Sequence, residues 1–119
     1  MDPRHQQRIE IIQELYSSIF YKNKNASKKS KLVLKNYHLI DKKIETVAPK
    51  YPIEKISKVD LSILRLAVYE LIIERKEPPR VIINEAIELA KELAGEKSPG
   101  FINAVLGKIF VTAQTKSHV

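Results

Sequence analysis

Two amphipathic patterns, separated by a pair of prolines, occupy the stretch from Ser57 to Lys91. In each pattern apolar residues recur at spacings of three and four, so they share one face of a helix. The first face comprises Val59, Ile63, Leu66, Ala67, Val68, Leu71 and Ile72, and the second Val81, Ile82, Ile83, Ala86, Ile87, Ala90 and Leu93. Pro78 and Pro79 remove backbone donors and disfavour the α conformation before them. The stretch therefore predicts a hairpin of two helices around which the rest of the chain is organised.

Three further amphipathic segments flank this hairpin. One runs from Arg4 to Tyr21, a second from Lys28 to Val47, and a third follows Ser98-Pro99. Ser27 is suited to cap the second helix, and Gly95 is placed to end the fourth in a left-handed conformation. No segment alternates with the period of a strand. The pattern predicts an all-α protein, a compact bundle of about five to seven helices.

Length and composition limit the class of protein. With 119 residues and no cysteine, we expect one domain spanning residues 1–119, without disulfides or thiolate metal sites. The N-terminus lacks the apolar core of a signal peptide, and no run approaches the ~18 apolar residues of a membrane span, so we expect a soluble cytoplasmic protein without a membrane contact. Lys and Arg total 21 against 14 Asp and Glu, a net charge of +7. This excess favours a polyanionic partner such as nucleic acid, although an ordinary basic surface is equally compatible with it.

The start of the first helix is basic and rich in amides: Arg4, His5, Gln6 and Arg8. Cations there oppose the helix dipole, which indicates a terminus that orders on an anion. The alternative is a solvated terminus without a ligand. Lysines open the second helix as well, and they are compatible either with a solvated face or with an extended footprint for phosphates.

Residues suited to catalysis or metal binding are not grouped. The histidines lie at positions 5, 38 and 118, without ligand-like spacing to one another or to acidic pairs. Glu85 and Glu88 share a helical face but lack histidine partners, which favours a solvated face. We therefore predict no catalytic residue, no metal, no cofactor and no enzymatic activity.

Four blocks in order resemble one family. The segment from Val59 to Leu71 resembles the central helix of the bacterial antitermination factor NusB. The run from Val81 to Lys91 resembles that family's next helix, the segment from Phe101 to Leu106 resembles its last helix, and the segment from Arg4 to Tyr16 is similar to its opening basic helix. The chain is thus identified as similar to the NusB family.

This resemblance implies an RNA-binding adaptor. NusB proteins join NusE, a ribosomal protein, and together they bind the boxA element of nascent RNA and help RNA polymerase resist termination, notably on ribosomal RNA operons. The family's arginine-rich N-terminal motif maps onto Arg4, His5, Gln6 and Arg8. Because only two arginines remain there, we expect weaker RNA binding by the adaptor alone. Relatives occur as monomers or homodimers, and both states stay open.

Family analogy assigns the protein partner to Tyr16 and Glu70. A Tyr can bury its ring and keep a polar tip, and a Glu can pair with a basic ribosomal protein. The alternatives are a core Tyr16 and a capped or solvated Glu70. Two departures from the family pattern stand out: the segment before Asp60 is short, and Gly107 stands where relatives often carry an acid. Loss of that acid either favours RNA or reflects drift.

Two other functions are compatible with the resemblance. A NusB-like domain also recognises RNA for cytosine methyltransferases, and because the chain stops at Val119 this hypothesis requires a methyltransferase domain supplied elsewhere. The other alternative is a helical adaptor that binds protein only.

Overall fold

A computed structural model describes the backbone of residues 2–117 and the side chains of residues 2–114. Within this range the chain forms six α-helices and no strand. They are α1 (Pro3–Ser18), α2 (Lys28–Lys35), α3 (Tyr37–Val47), α4 (Lys58–Val68), α5 (Pro79–Leu93) and α6 (Ser98–Ser117). A short 3-10 turn (Ile53–Lys55) precedes α4, and a π-helical turn (Tyr69–Glu74) extends it. The predicted all-α class is confirmed, and the number of helices falls within the predicted range.

The predicted helix starts follow from local capping. The Ser27 side chain accepts a hydrogen bond from the amide of Ser30 at the start of α2, and Ser57 does the same for Asp60 in α4. The structure also shows that α5 begins at Pro79, a position where the missing amide proton of proline leaves no hydrogen bond unmade. The side chains of Ser27 and Ser57 thus accept hydrogen bonds from backbone amides that would otherwise lack partners.

The predicted single helix from Lys28 to Val47 is wrong. The structure breaks it at Asn36, where φ is −106° and ψ is 12°. The Asn36 side chain donates to the carbonyl oxygen of Leu32 at 2.7 Å. Asparagine often diverts backbone groups in this way, which explains why two shorter helices replace one.

The predicted left-handed Gly95 is also wrong. No described glycine has a positive φ, and α5 ends on the extended residue Ala94. The left-handed residue is Arg75, with φ of 55°, which terminates the π-helical turn. A non-glycine residue in this conformation is uncommon, and here it reverses the chain between the two helices of the hairpin.

The helix α4 lies at the centre of the fold and contacts each of the other five α-helices. Its side chains are almost all buried, including Ile63, Leu64, Leu66 and Val68. Arg65 reaches from α4 to α3, where its Nε and Nη2 donate to the two carboxylate oxygens of Asp41 at 2.9 and 2.7 Å. The hairpin predicted from the apolar pattern therefore supplies the core. None of the helices within the described range is both long and apolar enough to cross a bilayer.

Candidate nucleic-acid interface

The basic start of α1 is divided between solvent and the protein interior. Arg4 and Gln6 are exposed, His5 is half-buried, and Arg8 is only 6% exposed. Arg4 and Arg8 lie one helical turn apart, so both side chains lie on the same side of α1. That side faces acidic residues of the central hairpin, and this contact governs what the motif can bind.

Arg8 forms a buried ion pair with Glu70. Its Nε donates to Oε1 at 3.1 Å and its Nη2 donates to Oε2 at 3.0 Å, a two-point arrangement that suits a guanidinium and a carboxylate. Nη2 also contacts the carboxylate of Glu77. All the charge of Arg8 is therefore matched inside the protein, and its guanidinium is not accessible to a phosphate in this conformation.

Lys29 of α2 joins the same network from the other side. Its Nζ donates to Glu70 at 3.0 Å and to Glu74 at 3.1 Å. Burial by itself would lower the pKa of Lys29, but the attraction of Glu70 and Glu74 outweighs it and raises the pKa above the usual value. The network thus links α1, α2 and the π-helical turn. Glu70 and Glu74 both lie on this turn.

His5 lies between two carboxylates of α5. Its Nδ1 contacts Glu85, and its Nε2 lies 2.9 Å from Glu92. The hydrogen bond to Glu85 is the main cause that raises the pKa of His5 above 6.5, and Glu92 adds to it. With both ring nitrogens facing carboxylates, the doubly protonated ring is the form that satisfies the site. His5 therefore fastens the start of α1 to α5.

A cleft of about 290 Å³ opens beside this network. Its charged lining residues are Arg4, Arg8, Lys29, Lys76, Glu70, Glu74 and Glu77. Lys76 follows the left-handed Arg75 and was not singled out from the sequence, because only the turn of the hairpin brings it beside α1. Arg4 makes ion pairs with Glu77 at 3.1 Å and with Asp2 at 3.7 Å, and its side chain is nevertheless 68% exposed. The solvent-facing cations of the cleft are thus Arg4 and Lys76.

The two residues assigned to a protein partner do not share a surface. Tyr16 is 39% exposed on α1, and its ring lies 5.4 Å from that of Phe20, which is 60% exposed. Beside Tyr16 a shallow apolar groove is bordered by Val59 and Leu93. Glu70, by contrast, is 3% exposed. Tyr16 is available to a partner, whereas Glu70 lies within the network that holds α1.

Metal-binding and catalytic clusters were not expected from the sequence. In the part of the chain that the structure describes, no group of three or more His, Asp or Glu residues could hold a metal ion. His38 is exposed and stacks on Tyr37. His118 lies outside the described residues.

Comparisons with known proteins agree on one family. The model of the NusB family matches residues 6–110. The transcription antitermination protein NusB of Clostridium botulinum (strain Loch Maree / Type A3) is 59% identical over 75 residues, which are 63% of this chain and 53% of that protein. The protein of the same name from Geotalea daltonii is 51% identical over 77 residues, 65% of this chain and 53% of that one. The chain spans about half the length of the curated relatives it matches.

Two solved structures share the fold over nearly the whole chain. NusB of T. maritima has a TM-score of 0.77 and 30% identity, and covers 92% of this chain and 91% of its own. A chain in a crystal structure described as that of a plectonemic RNA supercoil has a TM-score of 0.81 and 26% identity, and covers 97% of this chain and 99% of its own.

Proposed function

The chain belongs to the NusB family, and we propose that it works as a transcription antitermination factor. In this proposal the chain acts as a single domain and an RNA-binding adaptor in the cytoplasm, without enzymatic activity. With the ribosomal protein NusE it binds boxA RNA of nascent ribosomal RNA transcripts and helps RNA polymerase resist termination.

The observation that carries the proposal is the family match over residues 6–110 together with the shared fold of T. maritima NusB. The family match includes Gln6, Arg8 and the central hairpin, and the shared fold covers 92% of the chain. The relatives with more than half of their aligned residues identical are named antitermination proteins, and one neighbour in fold comes from a structure that contains RNA. The net charge of +7 suits such a ligand.

The four residues of the N-terminal motif divide into two roles in this proposal. Arg4 and Gln6 are exposed and contact the RNA, with Lys76 supplying a cation that the thinned motif lacks. His5 pairs with carboxylates of α5, and Arg8 pairs with Glu70 of the π-helical turn. These two residues therefore affect RNA binding indirectly, because they fix the position of α1. Pairing within the protein reduces the number of phosphates that the motif can neutralise.

For the protein partner, we propose that Tyr16 and Phe20 provide the apolar contact. Tyr16 lies on α1 and Phe20 lies just after its end; both rings are exposed, and aromatic rings of this kind commonly anchor interfaces. Glu70 supports the same contact indirectly, because its ion pair with Arg8 sets the position of α1.

A salt titration of RNA binding tests the proposal. We would measure binding of the intact chain to a boxA-containing RNA and to a scrambled control, each with and without the ribosomal protein. The expected result is a preference for boxA that appears or grows with the partner. Arg4→Gln and Lys76→Gln should each lower the affinity and reduce the salt slope by about 0.7. Lys91→Gln, which removes a charge from α5 at an exposed position, is the matched control.

A protein-only adaptor is the second candidate, and one observation favours it: Arg8, Lys29 and His5 are already paired with carboxylates. This candidate predicts that both RNAs bind equally weakly at every salt concentration, whereas the ribosomal protein still binds. Tyr16→Ala should then weaken binding of that protein and leave the helical circular dichroism unchanged. A preference for boxA would rule this candidate out.

A further inference from the structure

A groove follows the contact between α3 and α6, away from the basic start of α1. It consists of two adjoining depressions, of about 260 and 450 Å³, that share Val47 in their lining. The helix α6 supplies Phe101 and Lys108 to the first depression and Ile109 to the second. The segment after α3 closes the first depression with Tyr51. The groove therefore has two parts that meet at Val47.

An exposed aromatic pair lies at one end of this groove. The rings of Tyr51 and Phe101 are 5.1 Å apart between centroids and meet edge to face at 65°. Tyr51 is 51% exposed, whereas Phe101 packs on the core and fixes its neighbour's position. An exposed ring held in this way presents a flat apolar face, and unpaired nucleobases stack on such faces in single-stranded complexes.

Lysines without acidic partners surround the same groove. Lys42, Lys50 and Lys108 are exposed, and among the described residues no carboxylate lies within ion-pair distance of any of them. Arg8 and Lys29, by contrast, each form an ion pair with the buried carboxylate of Glu70. The lining of the two depressions contains no carboxylate, so these lysines give the groove a positive charge that would attract a polyanion.

We propose that the α3–α6 groove is a second binding surface for single-stranded RNA. One base stacks on Tyr51, and the flanking phosphates contact Lys50 and Lys108. The inference rests on the proposed RNA-binding function and extends it to a surface that shares no residue with the start of α1. The central helix α4 contacts both α1 and the two helices of the groove, so one strand crossing the bundle could use both surfaces.

The test compares two ligands of equal charge: a labelled uridine 12-mer and an abasic ribose-phosphate chain of the same length. We expect the full chain to bind the uridine oligomer more tightly, because only this ligand can stack. Tyr51→Ala should weaken uridine binding by about 5- to 100-fold and leave abasic binding unchanged. Tyr51→Trp should bind the uridine oligomer at least as tightly as the unmodified chain. Lys50→Gln with Lys108→Gln should weaken both ligands and lower the salt slope.

Matched controls separate stacking from loss of fold. Tyr21→Ala removes a tyrosine that is 59% exposed, against 51% for Tyr51, and Lys91→Gln removes a lysine outside the groove. Photocrosslinking of 4-thiouridine to the unmodified chain gives an independent readout, with the crosslink expected at Tyr51 or Phe101. Equal binding by Tyr51→Ala and Tyr21→Ala, together with a crosslink elsewhere, overturns the groove assignment but leaves the proposed function standing. If the unmodified chain binds no RNA, alone or with the ribosomal protein, both fail.

Discussion

Arg8 and Glu70 are 62 residues apart in the chain and form a two-point ion pair inside the fold. Their side chains are 8% and 4% exposed. The pair joins the first helix to the π-helical turn that ends the central one. Because both residues also contact other charged groups, the pair is the middle of a network whose outer members are Arg4, Lys29 and Glu74. This network fixes the position of the N-terminal part of α1.

Glu70→Gln should destabilise the protein. The substitution leaves the buried charge of Arg8 and the half-buried charge of Lys29 with only part of their compensation, from Glu77 and Glu74. We expect the free energy of unfolding to fall by about 3 kcal/mol, as measured by urea titration.

Glu96→Gln serves as the control for this change, because Glu96 is exposed. It should alter the free energy of unfolding by less than about 0.5 kcal/mol. Similar values for the two variants would contradict a structural role for Glu70. Glu70→Lys, which family analogy suggests for probing a partner, would place a third cation beside Arg8 and Lys29 and would report on folding instead.

His5 should titrate above 6.5 in the folded protein, since the hydrogen bonds to Glu85 and then Glu92 raise its pKa. A raised pKa in the folded state means that the contact stabilises the protein fully below the unfolded pKa. The stabilisation is lost as the pH rises through the folded pKa. A proton NMR titration should show the His5 midpoint moving back towards 6.5 in Glu85→Gln. A midpoint that does not move would remove Glu85 as the cause.

Glu14 should make the stability depend on acid pH in the opposite sense. Burial is the largest influence and raises its pKa, but hydrogen bonds from Ser30 and Ser27 together outweigh it, so the pKa lies below 4.5. The contribution of ionised Glu14 to the free energy of unfolding is present above pH 4.5 and disappears as the pH falls through the lowered pKa of Glu14. In Glu14→Gln the free energy of unfolding should change less between pH 5 and 3 than in the unmodified chain. Equal slopes would contradict the prediction.

Gly107→Ala should stabilise the protein by about 0.5 to 1 kcal/mol. Gly107 lies within α6, and a Cβ built there meets no atom within 4 Å. The added methyl group therefore causes no clash and lowers the entropy of the unfolded chain. Thermal unfolding would measure the gain. A lower midpoint than that of the unmodified protein would show that Gly107 is needed for a reason other than helix propensity.

Much of the fold could be predicted because its signals are local. Ser27 and Ser57 act within one turn of where they stand, and each starts a helix as expected. The sequence analysis missed the break at Asn36 because the apolar spacing continues through this position. The break arises from the side-chain hydrogen bond of Asn36, which competes with the hydrogen bonds of the helix. The helix α5 ends just before Gly95 as predicted, but the conformation of Gly95 was mispredicted, because glycine permits a left-handed conformation without requiring it.

The candidate site was less predictable. Arg4, His5, Gln6 and Arg8 were identified together as basic and amide-rich neighbours in the chain, but their exposure depends on which residues face them. Lys76 carried no signal of its own, because nothing in its surroundings along the chain indicates that it lies beside Arg4.

The sequence by itself determined the helical class, the proline-separated hairpin and most helix starts, since hydrophobic period and capping act over a few residues. Only the tertiary structure decided that Arg8 is matched by Glu70 while Lys50 and Lys108 stay unpaired. The physical reason is that an ion pair or a groove depends on distances between residues remote in the chain. Those distances are set by how the helices pack around α4.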